Sequence, residues 1–175
     1  MSGPDGGFEP LAEYETELSR AQKRALNVLG ARTMSRGAME KRLRELGEDE
    51  ETAADTADWL ARIGLIDDAQ YAREIVASCV RSGYGARRIR EELYKRYIPR
   101  ELWDAALGEL EDGETVAAAE AFIAKKLRGE TPDFDDRRKI GAALARRGHG
   151  WGDINAAFER YIEGLNDTEG DAGDW

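Results

Sequence analysis

The stretch from Gly64 to Ile98, GLIDDAQYAREIVASCVRSGYGARRIREELYKRYI, limits what this chain can fold into more than any other. Asp67 or Asp68 can accept a hydrogen bond from an unpaired amide and so start a helix, and Gln70 follows Asp67 at the spacing of a capping box. Ala72, Ile75, Val76 and Cys79 then recur at helical spacing and predict one apolar face. Gly83 and Gly85 flank Tyr84 and interrupt that pattern, because glycine accommodates the backbone angles of a tight bend. A second helix is predicted beyond the bend, with Ile89 and Leu93 as its apolar stripe and Arg87, Arg88, Arg90, Lys95 and Arg96 on the remaining surface. Pro99 ends it and suits the first turn of the next helix.

The same plan recurs along the chain. Before it, helices are predicted over about 17–32 (Ala25, Leu26 and Leu29 inward), from the cap Ser35 to Gly47 (Met39, Leu43, Leu46), and over about 49–63, with Trp59, Leu60 and Ile63 turned inward. The central triplet closes with a helix from Pro99 to Leu110 that is lined by Leu102, Trp103, Ala106, Leu107 and Leu110. A third triplet covers about 114–128, 135–147 and 152–162, buried through Phe122, Ile123 and Leu127, then Ile140 and Leu144, then Ile154, Phe158 and Tyr161. Superposing Met39, Ile89 and Ile140 brings Leu43, Leu93 and Leu144 into register, a repeat of about fifty residues.

The expected fold is therefore all-α: an elongated tandem array of three three-helix repeats over 17–66, 67–112 and 113–162, between disordered acidic tails at 1–16 and 163–175. A unit of this size has little core of its own and gains stability by stacking on its neighbours. Aromatic residues are only 8% of the chain, so alanine must supply much of the helix contact. Apolar and polar residues nowhere alternate convincingly, which argues against a sheet.

Charge is distributed in the same rhythm. The net charge is −10, but without the ten acids of residues 1–17 and 163–175 the rest of the chain balances 26 acids against 26 bases. Each middle helix is basic: residues 81–100 hold seven Lys or Arg against two acids, and residues 137–147 hold five against none. Residues 48–58 and 101–120 carry acids and no base. An acidic chain of this kind can still present a basic face.

The run GLIDD, the pair Tyr71-Ala72, the Gly-Tyr-Gly bend and the following Arg-Ile-x-x-x-Leu resemble the RecX family, bacterial regulators of the RecA recombinase. Upstream, ALNVLGARTMSRGAMEKRLRELG is similar to that family's opening segment. The resemblance is spread over Ala25 to Ile98 and is looser beyond. It implies a partner, the RecA filament on single-stranded DNA, whose ATP hydrolysis and strand exchange in recombination and repair the protein would restrain as a wedge or clamp. Direct DNA binding would be weak, and the protein would act as a monomer.

The expected partner-binding residues form a basic stripe of Arg36, Lys41, Arg42 and Arg44, then Arg87, Arg88, Arg90, Lys95 and Arg96, then Arg137, Arg138, Lys139, Arg146 and Arg147. The blander reading is a solvated helix face with i, i+4 pairs to Glu40, Glu45, Glu91 and Glu92, worth tenths of a kcal/mol each. The shortage of acids beside the second and third sets weighs against it, and arginine's dominance over lysine suits carboxylate or phosphate recognition. A stand-alone DNA-binding protein using such helices in helix-turn-helix fashion is the alternative.

Nothing points to catalysis. His149 is the only histidine and is expected at a surface or interface; Asp133, Asp135 and Asp136 read as helix-start acids rather than metal ligands; Gly83-Tyr84-Gly85 is too short to cradle a phosphate. No metal or cofactor is expected. Trp59, Trp103 and Trp151 are expected in packing, and Cys79 as a small buried hydrophobe. From the acidic amino terminus and the absence of a long apolar run, a cytoplasmic protein is expected.

Overall fold

Short polar residues start several helices where the sequence predicts them, and glycines end them. The Ser35 hydroxyl accepts from the Ala38 amide, the Asp49 carboxylate from Thr52 and that of Asp67 from Gln70. Asp133 and Asp136 form a reciprocal capping box. Gly47, Gly64 and Gly148 follow helices with φ of +96°, +78° and +91°, a backbone conformation that favours glycine.

The computed structural model describes residues 10–110 and 113–170. Among them the order is α1 (Pro10–Leu29), α2 (Arg36–Glu45), α3 (Glu50–Arg62), α4 (Asp68–Arg81), α5 (Ala86–Lys95), a 3-10 turn (Arg100–Leu102), α6 (Trp103–Gly108), α7 (Glu114–Leu127), α8 (Phe134–Arg146) and α9 (Trp151–Gly170), with no strand. The fold is all-α, as expected. The chain divides into two compact units, Met1–Tyr71 with Arg96–Pro99, and Ala72–Lys95 with Arg100–Trp175.

In the first unit Ala25, Met34, Met39, Leu43, Ala53, Ala57, Leu60 and Ile66 make one buried cluster. Alanines on α3 let it pack closely on its neighbours. The buried Glu48 carboxylate is met by Arg24 at 2.6 Å, so the charge taken from water is paired. The buried Ser35 does two jobs, because its hydroxyl also donates to the Arg96 carbonyl at 2.5 Å. Tyr97 beside it has φ of +57°, unusual for a residue with a side chain.

In the second unit α7, α8 and α9 bury Ala119, Ile123, Leu127, Ile140, Leu144, Ile154, Ala157, Phe158 and Tyr161 in one cluster. Ala72, Ile75, Val76 and Cys79 of α4 are buried, as are Ile89 and Leu93 of α5. The predicted apolar faces of α4, α5, α7, α8 and α9 are therefore the packed ones, whereas Leu26 and Leu46, predicted inward in the first unit, are 42% and 38% exposed.

Several expectations are corrected. Helix α1 begins at Pro10, not near residue 17, and α9 runs to Gly170, past the predicted stop at 162. Proline's fixed φ suits a first helical residue, and nothing between 162 and 170 is an obligate breaker, since Gly164 only weakens a helix. Residues 1–9 and 171–175 of the expected tails lie outside the described residues. Ile63 is half-exposed, because it caps α3 where the helical phase ends. The helix expected from Pro99 opens instead as a 3-10 turn, whose three residues per turn shift the face that follows. Of its predicted lining only Ala106 is fully buried. Trp151 is 64% exposed at the first position of α9, while Trp59 is partly buried against the first core.

Candidate functional site

Two glycine bends meet in the second unit. The Gly85 amide donates to the Arg147 carbonyl at 3.0 Å and the Arg87 amide to that of Gly148 at 3.2 Å. A Cβ on Gly85 would lie 2.4 Å from backbone atoms of Gly148 and His149, and one on Gly148 2.5 Å from the Arg88 nitrogen. Only glycine permits this approach. The bend predicted at Gly83-Tyr84-Gly85 thus has a second purpose: it docks the start of α5 against the end of α8.

Charged groups complete the joint. Arg147 donates to the carbonyls of Ser82 (2.8 Å) and Gly83 (3.2 Å), and its guanidinium lies over the rings of Tyr84 and Phe122. His149 Nε2 lies 3.1 Å from the Gly83 oxygen, while its buried Nδ1 has no partner among the described residues. The histidine expected at a surface or interface is thus buried between two bends of one unit. Arg87 reaches back to the Ala145 carbonyl at 2.9 Å.

The structure sorts the predicted basic residues into distinct roles. Arg147 is a fastener of the bends. Arg36 is paired with Asp58 and Glu40, Arg42 with Glu45, Arg88 with Glu91 and Glu92, Lys95 with Glu92, and Arg138 with Asp135. Lys41 bonds the Tyr97 hydroxyl at 2.8 Å, and Lys139 lies 3.9 Å from Asp135. Arg137 lies over the Phe158 ring. The carbonyl of Arg96 accepts from Ser35, so this residue belongs to the joint at Tyr97. Arg44, Arg90 and Arg146 are exposed and have no acidic partner among the described residues. Within α8, Arg146 sits nine residues beyond Arg137, roughly 13 Å along the axis, so that helix presents cations at both ends rather than as one patch.

Electrostatics follow these contacts. The hydrogen bond from Arg36 holds the Asp58 carboxyl below its ordinary value and raises the guanidinium in turn. Burial pushes the Asp68 carboxyl up, although its Oδ1 accepts from the Arg36 amide at 2.8 Å.

Sequence reasoning missed a groove of about 600 Å³ beside α5, walled by Tyr94 and Trp103 and edged by Arg90, Lys95 and Arg100. Tyr94 directly follows the buried Leu93 and so points away from the apolar stripe, a phase that marks it as exposed. No group of His, Cys, Asp or Glu among the described residues is arranged to hold a metal ion. No described helix is long and apolar enough to cross a membrane.

Known proteins share this fold. The family model of the second three-helix domain of RecX matches residues 67–107, and that of the third matches 112–158. A protein of Mycolicibacterium vanbaalenii named "Regulatory protein RecX" is 34% identical over 152 residues, covering 81% of this chain and 83% of that protein. Its namesake in Mycobacterium sp. (strain JLS) is 30% identical over 155 residues, 85% of this chain and 82% of the relative. The crystal structure of RecX from Lactobacillus salivarius shares the fold with a TM-score of 0.75 at 24% identity, covering 85% of this chain and 98% of that one. The matching three-helix domains and these relatives together make the chain a member of the RecX family of regulatory proteins.

Proposed function

We propose that this protein binds the filament that the RecA recombinase forms on single-stranded DNA and lowers its ATP hydrolysis and strand exchange, with no chemistry of its own. The observation that carries the reading is that each basic middle helix bears an exposed arginine with no acidic partner among the described residues, Arg44 on α2, Arg90 on α5 and Arg146 on α8. Uncompensated guanidinium groups are stabilised by an anionic partner, and a filament offers both phosphates and protein carboxylates. Membership in a family of regulators supports the same reading, as does a framework whose buried polar groups are spent on caps and bends. In this reading the protein works in the cytoplasm as a monomer, and each basic middle helix contributes contacts.

The test is a titration of the protein against RecA hydrolysing ATP on single-stranded DNA. Hydrolysis is expected to fall at amounts of the protein below those of RecA. An unchanged rate across a wide titration contradicts the proposal.

A further inference from the structure

The groove beside α5 combines two features that charge pairing does not account for. Tyr94 is 67% exposed to water, and Trp103 also lines the groove, with the Arg100 guanidinium 5.5 Å from its ring centre. The one carboxylate lining the groove, Glu91, is already engaged by Arg87 at 3.4 Å and Arg88 at 3.2 Å. Arg90 and Arg100 have no acidic partner among the described residues. An open aromatic face in a groove also lined by two unneutralised arginines asks for a ligand that is flat and apolar at one point and anionic at another.

A nucleotide within a single strand has that chemistry, since every base has a π-face and every linkage a phosphate. A duplex hides its base faces in the stack. An acidic peptide would neutralise the arginines and leave the ring of Tyr94 without a flat partner. We propose that this groove is a binding site for single-stranded nucleic acid, in which a base stacks on Tyr94 and Arg90 and Arg100 hold the adjoining phosphates. The inference deepens the filament reading, because α5 is one of the helices assigned to that contact, yet it is testable without a recombinase.

The test uses fluorescence anisotropy of the full chain with a labelled oligothymidylate, an abasic phosphodiester strand of the same length, and a duplex. The oligothymidylate is expected to bind about tenfold tighter than the abasic strand, the size of one stacked base. Tyr94→Ala should remove that preference and Tyr94→Phe should keep it. Arg90→Gln and Arg100→Gln should each lower the slope of log affinity against log salt by about 0.7. Equal affinity for the base-bearing and abasic strands, a preference that survives Tyr94→Ala, or tighter binding of the duplex overturns the site. Melting curves check that the variants fold. The wild type is also titrated against RecA: intact inhibition without a base preference sinks the stacking site alone, and a base preference without inhibition sinks the filament reading alone.

Discussion

Replacing Gly85 by alanine should damage this protein far more than its chemical modesty suggests. The added Cβ would fall 2.4 Å from the carbonyl carbon and oxygen of Gly148 and from the His149 nitrogen, all backbone atoms that no rotamer change can clear. The bends must separate, which carries an overpacking cost of about 1–3 kcal/mol. Separation also breaks the bonds from the Gly85 and Arg87 amides, each worth about 0.5–1.5 kcal/mol net. The total is roughly 2–6 kcal/mol, a large share of the ~5–15 kcal/mol that holds a typical domain together. Gly152 is the control: it lies in the first turn of α9 with open space around its Cβ position, so alanine there should be neutral or stabilise by up to about 1 kcal/mol. Urea unfolding followed by circular dichroism measures both. A Gly85→Ala variant within about 0.5 kcal/mol of wild type, or a Gly152→Ala variant equally damaged, would refute the close approach as the reason glycine is needed.

Other perturbations separate fasteners from contacts. Ser35→Ala removes both the cap on α2 and the bond to the Arg96 carbonyl, and should cost about 1–2 kcal/mol in the same unfolding assay. Arg147→Ala loses two bonds to carbonyls and should lower stability by roughly 1–3 kcal/mol, whereas Arg146→Ala should stay within about 0.5 kcal/mol. Unfolding at a series of pH values distinguishes two carboxylates. Asp58, held below its ordinary value, contributes stability that is present above about pH 3.9 and lost as pH falls through its folded-state value, so Asp58→Asn should approach wild type only in acid. Asp68 is held above its ordinary value, so its effect has the opposite sign: the protonated form favours folding, and that advantage is lost as pH rises. Asp68→Asn keeps an oxygen for the Arg36 amide and should therefore match or exceed wild-type stability at neutral pH.

The helices and their buried faces were legible because their signals are local. Ile75, Val76 and Cys79, or Ile140 and Leu144, repeat at the helical period, and Ser35, Asp49, Asp67 and Asp133 announce starts within three residues of the amides they satisfy. What escaped is what depends on distant backbone. Gly85 and Gly148 are 63 residues apart, and nothing near either one says that they touch. The consequence fell on His149 and Arg147, which read as a histidine at a surface or interface and a docking arginine but serve the joint between bends. Phase errors explain the others: the 3-10 turn rotates α6 relative to an uninterrupted helix, and Ile63 falls after α3 has ended.

That division of labour also refines where the partner surface is to be sought. Reversing charge at Arg87 or Arg88 would disturb the Ala145 carbonyl contact and the Glu92 pair as well as any docking. Arg44, Arg90 and Arg146 are the cleaner probes of docking, since their side chains are exposed and have no acidic partner among the described residues.

Co-sedimentation with preformed RecA filaments on single-stranded DNA tests the central claim most directly. The wild-type chain is predicted to pellet with the filaments, while a folded variant with Arg44, Arg90 and Arg146 all changed to glutamate remains in the supernatant. A wild-type chain that stays in solution while the filaments pellet, or a triple variant that pellets as fully as wild type, would contradict it.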